Sequence, residues 1–414
     1  MKINKKQVLF FLIIIYIVLI SVQIYGLFIF GLSSVNIITS ILFLVTIGIF
    51  IFYLSKFLMR IFLYNKNKRQ NIRLSIFSTF LALIIIEVFL RIFGINETYI
   101  EEISFPYHSQ YDPCYEQGWF HLWTYDHNLK TPEYNYKRTI NSEMLSDKEH
   151  PKSKYKGEYR IIGLGDSFTE GSGAHEDSTW LKFLERKINI KSITCINAGA
   201  CGSDPFFEYM LLKKKLLKYN PDLVIVAINT SDIDDIICRG GIERFKADGT
   251  VKFKNGPKWE WLYATSYISR LFINNLLKYN YLLINDKQKN LEEKKSLDLI
   301  YNVILKFNTL AKNKNFKLLI IFHPNDYEIT KKYFVFENII KKLNAQTNIN
   351  VLDLFDYFVN QANINSKNVS EYYWKEGHHN AKGYELFADG VEKKIIKMGI
   401  INSLDSVNNQ VKYY

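Results

Sequence analysis

The chain changes pattern along its length, from long unbroken apolar stretches to short apolar runs separated by polar, helical stretches. The long stretches occupy residues 8–30, 36–55 and 74–93. Each approaches or reaches the roughly 20 residues that a helix needs to cross the hydrocarbon core of a bilayer. No convincing small-residue cleavage site follows any of them, so the pattern predicts three retained transmembrane helices.

Five short apolar runs follow from residue 159 onward. They lie at residues 160–164, 192–196, 222–228, 316–322 and 349–354, with helical stretches between them, notably at 206–218 and 297–311. This alternation is typical of a parallel sheet with helices on both faces, and it predicts a three-layer α/β/α fold. The alternation of strands and helices is interrupted at about 238–290. We interpret this region as an insertion with a hairpin-like turn followed by a helix near Trp259 and Trp261.

The predicted organisation has four parts. They are a membrane anchor over residues 1–95, an aromatic-rich connecting segment over 96–158, a catalytic domain over 159–400 that contains the insertion, and a C-terminal tail over 401–414. The connecting segment is too aromatic for a flexible linker, so we expect it to pack on the following domain or to lie at the membrane surface. Trp119 and Trp123 in it suit such packing better than glycan stacking.

The formal net charge of +12 is concentrated at one end of the chain. Residues 1–95 contain ten Lys and Arg against a single acid, Glu87, so this part carries +9 and leaves +3 for the remainder. Most of these basic residues lie before the first apolar segment or between the second and the third. By the positive-inside rule both regions are cytoplasmic and everything after residue 93 is outside. The basicity therefore indicates membrane topology and not nucleic-acid binding.

Glu87 and Arg91 interrupt the third apolar segment. They are four residues apart, hence on one helix face, in the favourable order with the acid first. We interpret them as a pair that snorkels at the outer membrane interface, in preference to a functional site within the membrane.

Four groups of residues that could take part in catalysis occur in this region, three of them directly after apolar runs. They are Gly165-Asp166-Ser167 after the first run, Asn197-Ala198-Gly199 after the second, Asn229-Thr230-Ser231-Asp232 after the third, and Glu376 to Gly383 near the C-terminus. The carboxyl ends of parallel strands meet at one edge of a sheet, where open α/β sheets bind their ligands. A serine there acts as a nucleophile when a base takes its proton and donors hold the oxyanion. A carboxylate two residues before a histidine can orient that base.

At these residues the chain resembles the SGNH, or GDSL-type, hydrolase superfamily over roughly residues 159–397, with the first and last blocks matching best. The apolar segments, the aromatic segment and the ending GHHNAKGYELFA are similar to membrane-anchored bacterial members, which include esterases and O-acetyltransferases of surface glycans. The resemblance implies that Ser167 is the nucleophile, His378 the base and Glu376 its orienting acid. It also implies that the N–H groups of Ser167 and Gly199 form part of the oxyanion hole.

Two departures from the family pattern concern the site itself. The third block usually reads Gly-x-Asn-Asp, whereas Ser231 stands at the Asn position here, so either Ser231 donates to the oxyanion or Asn229 reaches in from two residues earlier. Glu376 stands where Asp is usual, and its longer arm must fold back to meet the histidine. His378 matches the H-x-N pattern, with His379 as the alternative base.

Metal and cofactor chemistry is not expected from these residues. Adjacent histidines usually point apart and no further ligand cluster is evident, so we predict no metal site, and no cofactor-binding fingerprint occurs. All four cysteines, Cys114, Cys195, Cys201 and Cys238, lie in the predicted exported part. A disulfide between Cys201 and Cys238 and buried free thiols are both compatible with this pattern.

The leading function hypothesis is an enzyme that forms an acyl-Ser167 intermediate. Water as acceptor makes it an esterase or deacylase of an O-acyl, foremost O-acetyl, glycan; a sugar hydroxyl makes it an O-acyltransferase that needs a membrane partner to deliver acyl groups. The competing hypothesis is a non-catalytic glycan-binding or assembly protein. In each case we expect a multi-pass protein of a bacterial membrane with a cytoplasmic N-terminus, an extracytoplasmic catalytic domain and no nucleic-acid partner.

Overall fold

The protein is described from a computed structural model of the 414-residue chain. The structure describes Tyr53, residues 66–93, 126–190, 192–247 and 266–400 except 281, and positions 251, 257, 259, 262 and 263. These residues divide into two compact units, one drawn from Met1–Pro113 and Phe253–Lys289 and the other from Cys114–Lys252 and Asn290–Tyr414. Apart from Tyr53, the first two predicted membrane segments lie outside the described residues, as does the predicted tail.

The described ranges contain the following elements. The strands are β1 His127–Lys130, β2 Asn135–Arg138, β3 Tyr159–Gly165, β4 Ile193–Gly199, β5 Leu223–Ile228, β6 Lys317–Phe322 and β7 Asn350–Asp353. The α-helices are α1 Lys66–Ile92, α2 Ser167–Glu170, α3 Trp180–Ile188, α4 Pro205–Leu211, α5 Ser231–Arg239, α6 Tyr267–Leu271, α7 Asp286–Lys314, α8 Asp326–Lys331, α9 Glu337–Gln346, α10 Leu354–Asp356 and α11 Ala381–Lys397.

The first unit contains α1, which covers the third predicted membrane segment. Its stretch Leu74–Ile92 is the one helix among the described residues that is long and apolar enough to cross a membrane. Large apolar side chains on it, such as Ile85 and Phe89, are exposed. Such exposure is unusual for a helix in water but is expected for a helix surrounded by lipid.

The pair within α1 has a different role from the one predicted. Arg91 Nη2 does lie 2.8 Å from Glu87 Oε1, yet Glu87 is only 1% exposed. Its carboxylate accepts hydrogen bonds from Ser266 Oγ and from the N–H groups of Tyr267 and Ile268, at 2.9 to 3.1 Å. The two N–H groups have no acceptor within α6, so Glu87 helps the N-cap residue Ser266 to cap that helix and holds part of the insertion instead of snorkelling to the interface.

The second unit is built on a five-stranded parallel sheet with the order β4-β3-β5-β6-β7. Its strands coincide with the five apolar runs, because strands buried on both faces have nearly continuous apolar sequences. β4 continues further than predicted, through Asn197 to Gly199, where it pairs with the end of β3. The chain reverses its direction of winding between β3 and β5, so the residues that follow these two strands flank a topological switch point.

Helices cover both faces of this sheet. On one face α3 and α11 pack together, with Trp180 stacked on Phe387 at a ring separation of 5.0 Å, over strand residues such as Ile161 and Leu319. Alternate strand residues, including Ile162, point to the opposite face, because side chains alternate along a strand. There α4 contacts β3 and β5, and Tyr209 of α4 packs against Phe307 of α7. This arrangement confirms the predicted α/β/α layers.

Two further predictions concern loops. Phe245 and Val251 form an antiparallel bridge, as expected for a hairpin-like turn in the insertion. Cys201 is exposed and Cys238 is buried, and no disulfide joins these two described residues. Cys114 lies outside the described residues, so its state stays a prediction.

Candidate active site

Ser167 begins a short helix directly after the central strand β3. The Asp166 carboxylate caps α2 by accepting the Phe168 N–H at 2.9 Å. The turn requires glycine at 165, where φ is +155° and a Cβ would lie 2.2 Å from Thr169 Oγ1. Ser167 is 8% exposed. The strand, the glycine and the cap therefore hold its hydroxyl at the carboxyl edge of the sheet.

Gly199 ends the neighbouring strand β4 against this helix. A Cβ at Gly199 would lie 2.1 Å from the backbone nitrogen of Glu170, so only glycine permits the approach. The Gly199 N–H donates to Asn197 Oδ1 at 3.0 Å and is thus engaged by a protein acceptor. Close packing accounts for the glycine at this position, and its role as an oxyanion donor stays a prediction.

A tight loop carries the acid and the base. The Trp374 N–H donates to the His378 carbonyl at 2.8 Å, and the Gly377 N–H donates to the Trp374 carbonyl at 3.0 Å. The Trp374 indole N–H donates to the carbonyl of Gly173 at 2.7 Å, which ties this loop to the segment after Ser167. Asn380 then caps α11 by accepting the Gly383 N–H. These bonds fix where Glu376 and His378 point.

The structure brings Ser167, His378 and Glu376 together in that order. Ser167 Oγ lies 2.8 Å from His378 Nε2, and His378 Nδ1 lies 2.6 Å from Glu376 Oε2. With the hydroxyl donating to Nε2, the Nδ1–H group donates to the carboxylate. Both distances are those of good hydrogen bonds, and the order is that of a Ser–His–acid triad.

Glu376 is held in its ionised form. Burial raises its pKa, but the hydrogen bond from His378, the attraction to that imidazole and the hydrogen bond from Tyr134 together lower the pKa below its ordinary value. The Tyr134 hydroxyl reaches Glu376 Oε1, the oxygen that His378 does not use, at 3.3 Å. The carboxylate is therefore bound at both of its oxygens.

His379, the alternative base, turns away from Ser167. Its ring is fully buried and lies 4.2 Å from the Tyr373 ring and 5.3 Å from that of Phe168. Burial, followed by the nearby imidazole of His323, lowers the pKa of His379 well below its ordinary value. His379 is thus a neutral core residue. Within the described residues, no group of three or more His, Cys, Asp or Glu is arranged to hold a metal ion.

The residues of the third block gather around Asp166. Asn229 Nδ2 donates to Asp166 Oδ2 at 2.7 Å, and Ser231 Oγ lies 3.1 Å from the same oxygen and 2.6 Å from Asn229 Oδ1. Asn229 is buried whereas Ser231 is exposed. A serine hydroxyl has one hydrogen and an asparagine amide has two, so Asn229 keeps a second N–H beyond the one given to Asp166.

Two buried carboxyls lie next to this cluster. Burial and the charge of Asp166 raise the pKa values of Glu208 and Asp232 well above the ordinary range. Asp166 accepts hydrogen bonds from the Phe168 N–H, from the Asn229 amide and from the Ser231 hydroxyl. The bond to Asp166 Oδ2 orients the Asn229 amide.

Sequence reasoning missed the contribution of the β1–β2 hairpin to this site. The hairpin lies before the region that resembles a known family, and its contacts with the acid loop join residues about 240 positions apart. Alternation in Tyr134, Tyr136 and Arg138 is a strand signal, but nothing local in the sequence reveals which loops these side chains meet.

Comparison with known proteins identified solved structures but no sequence match. No protein-family model and no curated protein matches the chain. Similar solved structures include the lipase/acylhydrolase from Enterococcus faecalis, with 16% identity, a TM-score of 0.33, and coverage of 57% of this chain and 95% of that one. An esterase from a Pseudoalteromonas species has 16% identity, a TM-score of 0.34, and coverage of 58% and 98%.

A third similar structure is a two-domain esterase active on acetylated mannans. It has 14% identity and a TM-score of 0.35, and the match covers 58% of this chain and 49% of that one. All three TM-scores are low, so the interpretation of Ser167, His378 and Glu376 as a triad depends on the geometry of this chain itself. The parallel sheet and the Ser–His–Glu arrangement are those implied by the resemblance to SGNH hydrolases.

Proposed function

We propose that the protein is a serine esterase of the SGNH type that acts through an acyl-Ser167 intermediate. The observation that carries this proposal is the continuous hydrogen-bonded chain from Ser167 Oγ through His378 to Glu376, at 2.8 and 2.6 Å. A serine in a turn at a sheet edge needs no such partners for a structural role. The complete set favours catalysis over a purely binding role.

In the first half-reaction Ser167 Oγ attacks the carbonyl carbon of the ester. The Oγ proton passes to His378 Nε2, and Glu376 stabilises the resulting imidazolium through its bond to Nδ1. When the tetrahedral intermediate collapses, the C–O bond to the leaving alcohol breaks and that alcohol takes the proton from His378. Ser167 is left acylated.

The second half-reaction releases the acyl group. Water gives a proton to His378 Nε2 as its oxygen attacks the acyl carbon, and the bond to Ser167 Oγ breaks as the proton returns to that oxygen. We assign the oxyanion donors as the N–H groups of Ser167 and Gly199 and the second amide N–H of Asn229. Ser231 is the weaker candidate because its one hydrogen faces Asp166 or Asn229.

The proposed substrate is an O-acyl, foremost O-acetyl, glycan outside the cytoplasmic membrane. Support comes from the predicted topology, in which the basic residues before Leu74 are cytoplasmic, and from the exposed apolar side chains of α1 after that point. Transfer to a sugar hydroxyl instead of water needs the same acyl-Ser167. Free acetate as the product identifies an esterase, and an acetylated sugar identifies a transferase.

The test measures hydrolysis of a chromogenic acetyl ester by the full-length protein in detergent. We expect wild-type turnover, and background rates for Ser167→Ala and His378→Ala. Asn229→Ala should lose on the order of 10²-fold, as removal of one oxyanion donor does, whereas Ser231→Ala should stay within a few-fold of wild type.

The control is His175→Ala, which removes an exposed imidazole that is not part of the triad and should leave the rate unchanged. Equal rates for wild type and Ser167→Ala would refute the esterase proposal. A larger loss in Ser231→Ala than in Asn229→Ala would reverse the donor assignment.

A further inference from the structure

The β1–β2 hairpin contacts both loops that carry the triad. Glu133, in its turn, accepts hydrogen bonds from the backbone N–H groups of Lys375 and Glu376, at 3.1 and 3.3 Å. Next to it, Tyr134 donates to Glu376 Oε1 at 3.3 Å. The loop before His378 is thus held by three hydrogen bonds from the same turn, two through its backbone N–H groups and one through the Glu376 side chain.

The second strand of the hairpin contacts the segment after Ser167. The fully buried guanidinium of Arg138 donates to the carbonyls of Glu170 and Gly171, at 2.7 and 2.8 Å. The Tyr136 hydroxyl accepts the Gly173 N–H at 2.7 Å. A buried cation on two carbonyls is costly to disturb, so this segment is rigidly tied to the hairpin.

Tyr134 links these two sets of contacts. Its ring packs 5.4 Å from that of Tyr136 and 6.0 Å from that of Trp374, the residue whose indole is bonded to Gly173. The ring is therefore fixed between the nucleophile segment and the acid loop. Its hydroxyl is left facing the free oxygen of the triad carboxylate.

From these contacts we propose that Tyr134 is a positioning residue that fixes Glu376 against His378. By donating a hydrogen bond to Oε1, its hydroxyl also partly offsets the negative charge of the Glu376 carboxylate. The inference rests on the proposed esterase function. It explains how glutamate serves in a position where the shorter aspartate is usual: the additional rotatable bond is restrained because one carboxylate oxygen is bound by Tyr134 and the other by His378.

The proposal has a consequence for pH dependence. Without the Tyr134 hydroxyl the carboxylate loses a donor and attracts the imidazolium form of His378 more strongly. His378 must be neutral to take the Ser167 proton, so a more stable imidazolium moves the acid limb of the rate profile to higher pH. A residue that only supported the fold would not move this limb.

The experiment compares kcat and KM over pH 5 to 9, roughly the range in which histidine titrates, for full-length wild type, Tyr134→Phe and Asn135→Ala with the acetyl ester. Tyr134→Phe keeps the ring and its stacking. We expect about a fivefold lower kcat, a KM within about twofold, and an acid limb about 0.3 to 0.5 pH units higher. Asn135 is exposed on the other side of the strand, so Asn135→Ala should match wild type.

A second variant guards against misfolding of the first. Glu133→Gln keeps one acceptor for the two loop N–H groups and should lower kcat about threefold with KM unchanged. If wild type is active and Tyr134→Phe shows the profile and kcat of Asn135→Ala, the positioning role is wrong while the esterase function stands. If wild type is inactive, the esterase function itself fails.

Discussion

At the scale of single residues, the site contains polar groups that react and polar groups that hold the reacting ones in place. Ser167, His378 and Glu376 form one chain of hydrogen bonds, and Asp166 with Asn229 forms a second beside it. The two chains are joined through the peptide between Asp166 and Ser167. Substitutions in the second chain should therefore lower turnover by removing or misplacing oxyanion donors, while the triad stays complete.

His323 gives a prediction about stability in acid. Burial lowers its pKa from the ordinary 6.5 to about 4, although the charge of Asp166 opposes this. The His323 imidazole therefore binds a proton below about pH 6.5 in the unfolded chain, but only below about pH 4 in the folded chain. Stability from this group is complete above pH 6.5 and falls by about 3 kcal/mol as pH drops through that window.

Chemical denaturation followed by fluorescence over pH 4.5 to 7.5 measures this effect. His323→Leu should show a shallower loss of unfolding free energy on the acid side than wild type, whatever its absolute stability. His175→Leu, which removes an exposed imidazole, should keep the wild-type slope. Parallel curves for wild type and His323→Leu would contradict the lowered pKa.

Residue identities in the site could be predicted from the sequence where they follow strands in parallel order. The place of Ser167 after a strand puts it at the sheet edge, whereas the resemblance to SGNH hydrolases implies its role and that of His378; the structure places the two side chains within hydrogen-bonding distance. Two features could not be predicted: which acceptor the Gly199 N–H meets, and whether Asn229 or Ser231 has a hydrogen available for the oxyanion. Both depend on the direction of individual N–H groups, and spacing in the sequence carries no information on that direction.

At the scale of elements, the sheet was predictable and the hairpin was not. Parallel strands buried on both faces have apolar sequences that stand out between helices. β1 and β2 are short and alternate between exposed residues and residues that are half-buried or, for Arg138, fully buried. Their contribution to the site consists of contacts with loops that are distant in the sequence. Long-range contacts of this kind leave no periodic signal.

The helix α1 also has a feature that the sequence alone does not predict. The pairing of Glu87 with Arg91 was predicted correctly, but the contacts of Glu87 with the start of α6 were not. The same helix provides a test at this scale. Glu87→Ala removes the cap of α6 and should raise hydrogen exchange of the amides at 266–271, with a local cost of about 1 to 2 kcal/mol.

The matched control for this test is Ser78→Ala on the same helix, where an exposed hydroxyl donates only to the Leu74 carbonyl. Its exchange at 266–271 should equal that of wild type. Unchanged protection in Glu87→Ala would show that other contacts hold α6 and that the cap contributes little.

At the scale of the whole molecule, two units with different surface chemistry share one chain. One contains an apolar helix with an internal acid that is fully satisfied by protein donors, and the other contains a buried sheet that ends in the triad. The charge is divided in the same way, with +9 of the net +12 in residues 1–95. The basic residues are thus concentrated near the apolar helix, and the part of the chain that contains the triad is closer to neutral.

The central claim is that Ser167 is a nucleophile activated by His378. The most direct measurement treats the full-length protein with a fluorophosphonate, which phosphonylates an activated serine with loss of fluoride, and locates the adduct by peptide mass spectrometry. We expect one adduct on Ser167 in wild type and none in Ser167→Ala or His378→Ala. Absence of the adduct in folded wild type, or an adduct on another residue, would contradict the account.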